Sequence, residues 1–184
     1  APLEAAGFSC HWRKRMQLEL DAWMAPLRLP HGYRLGPWNI RELDAAARVV
    51  FEANAGTLDA RLYASFFGTS PADCRQGLLA ILAGRYGPLA PQATLCAFAG
   101  QALAGINLVI RNDAELASII EISVAPAHQR QGLGRALMIA SQRVLKEERV
   151  ARVELAVTVE NTRALALYRS LGYCDIGQFA VCVL

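Results

Sequence analysis

The stretch Ile122-Ser-Val-Ala-Pro-Ala-His-Gln-Arg-Gln-Gly-Leu-Gly-Arg-Ala-Leu137 constrains the fold of this chain more than any other. An apolar run ends near Val124 and Pro126 turns the chain. A glycine-containing loop then feeds directly into apolar positions at helical spacing, Leu133, Ala136, Leu137, Ala140 and Val144. Such a strand-loop-helix unit gathers free backbone N–H groups and the positive end of a helix at one point, which suits a phosphate or pyrophosphate. Gly132 and Gly134 let the backbone approach an anion with no Cβ in the way, and Arg130 and Arg135 add positive charge. An ordinary strand-to-helix turn would use the same residues, so this segment alone leaves both readings open. Two nucleotide-binding patterns are excluded. No Gly-Lys-Ser/Thr follows, and Leu137 stands where the third glycine of GxGxxG would be.

The surrounding chain reads as α/β with a mixed sheet. Residues 94–99 and 102–111 form two strands joined tightly at Gly100-Gln101, and an Asn112-Asp113 turn follows. The run 116–124 is a third, more apolar strand, suited to a central position covered on both faces. Helix and strand then alternate to the C-terminus. Upstream, a short strand over 33–35 is interrupted by Gly36-Pro37, and helical patterns cover 40–53, 58–67 and 71–84. Ser70 and Pro71 supply the N-cap and first helical residue of the last of these. Over 11–28, Trp12, Met16, Leu20, Trp23, Met24 and Leu27 recur at helical spacing. They predict an amphipathic helix docked on the domain, with Arg13-Lys14-Arg15 on its solvated face and Pro26 and Pro30 near its end.

At 184 residues, 54% of them hydrophobic and 19% charged, the chain fits one globular domain. No apolar run is long enough for a transmembrane helix, and the first residues lack the basic and apolar regions of a signal peptide. A net charge of +3, thinly spread, argues against a nucleic-acid partner. Five cysteines (10, 74, 96, 174 and 182) show neither CxxC nor zinc-ligand spacing, so no metal is expected. Their plain reading is free thiols in a reducing cytoplasm, with Cys96 and Cys182 in apolar runs as core residues.

Gln129-Arg-Gln-Gly132-Leu-Gly134 resembles the Q/R-x-x-G-x-G/A motif of the GNAT N-acetyltransferase superfamily, and Val124-Ala-Pro126 before it fits the same family. About thirty residues on, Asn161-Thr-Arg-Ala164-Leu-Ala-Leu-Tyr168-Arg-Ser-Leu-Gly172-Tyr173 resembles the second signature, N-x-x-A-x-x-x-Y-x-x-x-G-F/Y. A structural account of this second segment also stands: Asn161 is a good N-cap, Gly172 a good C′ residue, and Ala164, Tyr168 and Leu171 share a helix face. The resemblance covers 94–184 and extends toward 33. It implies a mixed, mostly antiparallel central sheet flanked by helices (α/β, or α+β). Residues 1–30 would be a helical extension and 31–184 the acetyltransferase domain.

By that resemblance the co-substrate is acetyl-CoA. The loop Gln129, Arg130, Gln131, Gly132, Leu133, Gly134 and Arg135 would hold its pyrophosphate. Ile122, Ser123 and Val124, on a strand splayed from its neighbour, would line the pantetheine arm; Asn161, Ala164 and Tyr168 would complete the cofactor site. Tyr168 is implied as the general acid for the thiolate. Glu121 is a lone carboxylate inside the apolar run 118–124. It is the candidate base, because burial would raise its pKa toward a useful value. A carboxylate facing solvent or paired with an arginine is the alternative, and a water relay can replace a single base. The implied reaction is acetyl transfer to a primary amine of a small molecule or protein by direct attack in a ternary complex. A non-catalytic acyl-CoA sensor is the competing class. The segment 38–92 would build the acceptor wall. There Leu58, Leu62 and Phe66 form a core face, leaving Asp59 and Tyr63 as acceptor contacts. No membrane association is expected. An exposed N-terminal helix or the last strand, 179–184, offers an edge for a homodimer.

Overall fold

The computed structural model describes residues 6–21 and 24–183. Strands β1 (Ser9–Glu19) and β2 (Tyr33–Pro37) come first. A 3-10 turn at Ile40–Glu42 leads into α1 (Leu43–Asn54), followed by α2 (Leu58–Leu62), α3 (Ala64–Phe67) and α4 (Pro71–Leu82). Strands β3 (Leu95–Ala99), β4 (Ala102–Arg111) and β5 (Leu116–Val124) are next. The chain ends with α5 (Leu133–Glu147), β6 (Arg152–Thr158), α6 (Thr162–Ser170) and β7 (Cys174–Val183). These seven strands form one sheet in the order β2-β3-β4-β5-β6-β1-β7. Its described pairings are antiparallel except β5 with β6.

Helices α1 and α4 cover one face. Leu43, Ala46, Val50, Leu78 and Ile81 pack there on Ile106 and Leu108 of β4. Helices α5 and α6 cover the other, where Met138, Ile139, Leu145 and Leu165 meet Met16, Leu18, Val153 and Leu155. The two faces alternate along β4, as a pleated strand requires. Helix starts follow the sequence signals. Ser70 accepts a hydrogen bond from the Asp73 N–H with Pro71 in the first turn, Thr57 accepts from Ala60, and Asn161 accepts from Ala164.

The helix expected over 11–28 is not there. Residues 9–19 are a strand inside the sheet, antiparallel to β6 on one side and β7 on the other. Met16, Leu18 and Leu20 are buried while Arg15, Glu19 and Asp21 are exposed and Gln17 is half-buried, a period of two rather than 3.6. The N-terminal segment is thus part of the sheet of the main domain, not a helical appendage on it. Trp23, one of the residues in the helical pattern, lies outside the described residues, as does Leu184 at the end of the last strand. The single helix expected over 58–67 is two short ones that meet at Tyr63, whose backbone (φ −119°, ψ 43°) is not helical. The most buried strand is β4, not β5.

The thiol expectation is also corrected. Cys10 and Cys182 face each other in the β1–β7 register and are joined by a disulfide. Cys182 is therefore a cross-strand link at the sheet edge, while Cys74 and Cys96 are free and buried and Cys174 is free and exposed. No described helix is long and apolar enough to cross a membrane.

Candidate active site

The site arises where two parallel strands part. β5 pairs with β6 only over Leu116–Ser118, opposite Arg152–Glu154. Beyond that point the edge of β5 from Ile119 to Val124 has no strand partner among the described residues, and neither does the facing edge of β6. The gap opens into a cleft of about 420 Å³, lined by residues 118–122 of β5 and 154–157 of β6. Because it passes between strands, side chains from both faces of the sheet reach it.

Glu121 enters from the α1 face through a change of register. Leu108 stands opposite Glu121 and Val109 opposite Ile119, so Ile120 is an extra residue in β5. In a regular strand Glu121 would share the face of Ile119, which is packed under α5 and α6. The bulge puts it instead on the face of Leu108, toward α1. There the Ser123 hydroxyl donates to Glu121 Oε1 at 2.5 Å, and the Asn54 amide at the end of α1 donates to Ser123 Oγ at 3.1 Å. Burial pushes the Glu121 carboxyl up to about 7, against the opposing pull of the hydrogen bonds from Ser123 and Asn54. A carboxyl poised at that value can both take and release a proton near neutrality.

Tyr168 enters from the opposite face, on α6, buried beside Tyr173 with ring centroids 6.0 Å apart. Its phenol is driven well above the usual tyrosine range, first by burial and then by the charges of Glu121 and Asp59. It therefore stays protonated throughout the range in which Glu121 titrates.

The outer wall is built by residues whose partnership is invisible in the sequence. Arg13 on β1 lies opposite Thr158 on β6. Its guanidinium donates to Asp59 Oδ1 at 2.7 Å, to Thr158 Oγ1 at 3.2 Å and to the Ala156 carbonyl at 2.8 Å. It also stacks over the Tyr63 ring at 4.8 Å. Thr158 Oγ1 donates to the same Asp59 oxygen at 2.5 Å. Asp59 and Tyr63 both line the cleft, joined through Arg13, which lies on a strand and not on a solvated helix face; Phe66, expected on the core face, lines the cleft as well.

Of the expected cofactor residues, Ile122, Asn161 and Tyr168 line this cleft, whereas Gln131, Gly132 and Arg135 line a separate pocket with Pro26, Arg28 and Pro30. Gly132 caps α5 in a left-handed conformation (φ 84°), and Arg130 is also at positive φ (62°). The Ala136 N–H is bonded to the Gly132 carbonyl, so the preceding turn aims its N–H groups out of the helix end. Side chains in this loop are mostly committed to the protein. Gln129 bonds the Val124 carbonyl and accepts from Arg163; Gln131 accepts from Tyr33, which is also bonded to His128; Arg135 bonds Ser170. Leu133 is buried in the core, and Val124 and Ile122 pack beside it. Asn161 lines the cleft but spends its oxygen on the Ala164 N–H, and Ala164 packs on the core. In this region, then, the surface offered to a ligand is mainly backbone. The side-chain relay from Ser123 to Asn54 was missed; an amide three residues before Thr57, at the end of a helix, carries no sequence signal for it.

The sequence matches the Acetyltransferase (GNAT) family over residues 61–173. It is 46% identical over 57 residues to the ribosomal protein bS18-alanine N-acetyltransferase of Escherichia coli, covering 31% of this chain and 38% of that one. It is 43% identical over 68 residues to the mycothiol acetyltransferase of Beutenbergia cavernae, covering 37% and 23% respectively. The matches thus span less than half the length of these curated relatives. The fold resembles a GCN5-related N-acetyltransferase from Sphaerobacter thermophilus with a TM-score of 0.74 at 20% identity, over 98% of this chain and 53% of that one. It also resembles Ard1 from Thermoplasma volcanium, with a TM-score of 0.63 at 15% identity, over 83% and 99%.

Proposed function

The chain belongs to the acetyltransferase (GNAT) family, and from that premise we propose that it moves an acetyl group from acetyl-CoA to a primary amine by direct attack in a ternary complex. The observation that carries the reading is the convergence of Glu121 and Tyr168, from opposite faces of the sheet, on the cleft where β5 and β6 part.

The residues present fit the co-substrate. The left-handed Gly132 and the outward N–H groups at the start of α5 suit its pyrophosphate, with Arg130 and Arg135 nearby. The unpaired edge of β5 over Ile122–Val124 suits the amide groups of its pantetheine arm, because an extended arm can take the place of the absent strand. Acetyl-CoA supplies an activated thioester. Glu121, ionised above about pH 7, takes a proton from the incoming ammonium group. A backbone N–H on the free edge of β5 stabilises the oxyanion as the C–N bond forms. The C–S bond then breaks, Tyr168 gives its proton to the departing thiolate, and the extra proton on the newly acylated nitrogen passes to the Tyr168 phenolate, which restores the phenol. Ser123 and Asn54 keep the carboxylate of Glu121 oriented toward the cleft.

Thermal unfolding with acetyl-CoA, coenzyme A, ATP and NAD in parallel tests the cofactor assignment. A rise with the two coenzyme A species alone supports it through binding linkage. Thiol release across an amine panel then separates an enzyme from a sensor that binds acetyl-CoA without turnover. No shift with coenzyme A refutes the assignment.

A further inference from the structure

The outer part of the cleft has a composition that bears on its acceptor. Asp59 is held by one oxygen only. Oδ1 accepts from both Arg13 and Thr158, while Oδ2 accepts from no described residue. The side chain keeps 19% of its surface open and lines the cleft. Arg13 is nearly spent: its Nη groups bond Asp59, Thr158 and the Ala156 carbonyl, and Tyr63 covers its face. The charge still presented to a ligand at this point is therefore the carboxylate oxygen. Its influence extends inward, since its negative charge is felt by both Glu121 and Tyr168.

Around that oxygen the wall is aromatic. Tyr63, Phe66, Tyr86 and Phe179 line the cleft, and Tyr86 and Phe179 are partly open to solvent. Of the other ionisable groups lining the cleft, Arg15 and Glu154 lie 3.3 Å apart and neutralise one another at the rim, and Glu121 is the carboxyl assigned to proton transfer. With Glu121 assigned to proton transfer, one anionic oxygen is left for anchoring in front of the aromatic rings, which favours a ligand with one positive charge and an apolar body. Polyamines would need further acceptors, and an acidic substrate would meet Asp59 with no free cation beside it.

Resting on the acetyltransferase reading, we propose that Asp59 anchors the acceptor through its free Oδ2, and that the acceptor is a primary monoamine carried on an aromatic or branched apolar body. Arg13 and Thr158 fix the carboxylate so that the ammonium group arrives beside Glu121. Asp59 binds the cationic form; Glu121 then removes its proton.

Titration calorimetry on the protein saturated with coenzyme A tests this without turnover. The probes are 2-phenylethylamine, the uncharged 2-phenylethanol, L-phenylalanine and spermidine. We expect 2-phenylethylamine to bind about tenfold or more tighter than the alcohol, the magnitude of a hydrogen bond to a charged group. It should also exceed phenylalanine and spermidine. Asp59→Asn keeps an oxygen for Arg13 and Thr158 but loses the charge, and should weaken the amine by a similar factor while leaving coenzyme A affinity unchanged. Equal binding of amine and alcohol to the unmodified protein overturns the proposal without needing a variant. Tighter phenylalanine would make Arg15 the anchor, tighter spermidine would make the site polycationic, and amine affinity unchanged in Asp59→Asn would leave Asp59 a strut; each overturns it. Coenzyme A that binds while the amines do not discriminate refutes this proposal alone. Coenzyme A that fails to bind refutes the acetyltransferase reading beneath it as well.

Discussion

Replacing Glu121 with Gln separates the catalytic from the structural consequences of a buried carboxyl. Gln is nearly isosteric and still accepts from the Ser123 hydroxyl, but it cannot ionise. The Glu121 pKa is raised from 4.5 to about 7, so the folded protein binds the proton more tightly than the unfolded chain. The sign follows from linkage. Below pH 4.5 the group is protonated in both states and costs nothing. Between 4.5 and about 7 folding is progressively penalised, and above about 7 the penalty is complete. At 1.36 kcal/mol per pKa unit the full penalty is about 3 kcal/mol, an upper value because the residue opens partly on the cleft. Glu121→Gln should therefore raise Tm at pH 8 by up to roughly 10 °C and leave it nearly unchanged at pH 4.5. In the same variant kcat/KM should fall about 100-fold or more, and the acidic limb of its pH profile, with an inflection near 7 in the parent, should disappear. Scanning calorimetry at the two pH values and initial rates from pH 5.5 to 9 read both effects. A stability gain independent of pH would refute the burial argument. A profile that keeps its inflection in the variant would remove Glu121 as the base.

Four further outcomes are expected. Tyr168→Phe should lower kcat by about 10- to 100-fold with coenzyme A affinity little changed, measured by thiol release and calorimetry; equal turnover would leave Tyr168 only a wall of the cleft. Gly134→Asp places a carboxylate beside Val124 at the mouth of α5 and should weaken coenzyme A by at least about tenfold, checked by titration. Gly77→Ala should cost about 1–3 kcal/mol of unfolding free energy by denaturant titration, because the added Cβ would lie 2.5 Å from the Phe66 ring and 2.6 Å from its carbonyl. Cys10→Ser should lower Tm in oxidising buffer, by about 2–4 kcal/mol of stability, and the difference should vanish when the parent protein is reduced.

The part of the fold legible in the sequence is the part whose local signals and tertiary environment agree. The start of α4 at Pro71, the tight β3–β4 hairpin at Gly100-Gln101 and the Gly132 turn into α5 each follow from residues adjacent in the chain. β1 failed because its apolar residues satisfy two periods at once. Trp12, Met16 and Leu20 are spaced by four, while Met16, Leu18 and Leu20 are spaced by two. Leu18, with Gln17 and Glu19 on either side of it, favoured the second reading. Glu121 stood out because a carboxylate in an apolar strand needs a reason. Its direction could not be read, since a bulge at Ile120 decides which face it joins and depends on the pairing with β4. Cys10 and Cys182 lie 172 residues apart in sequence, and only the β1–β7 register brings them together.

The position of β1 links these observations physically. A strand antiparallel to both neighbours satisfies the backbone groups along two edges at once, so β1 closes the far edge of β6 and supplies the only described strand partner of β7. β6 can then tolerate having no partner toward β5 over much of its length, because its other edge is fully paired from Arg152 to Thr158. That same register sets Arg13 against Thr158, the last residue of β6 and the end of that strand away from the β5–β6 contact. Period two then sends Arg15 to the same side as Arg13, where both line the cleft. The segment that holds the divided sheet together is therefore also the one that charges its outer wall. A change in β1 that shifts register by one residue would turn Arg13 away from Asp59 and expose Met16, so fold and acceptor site are specified by the same pairing.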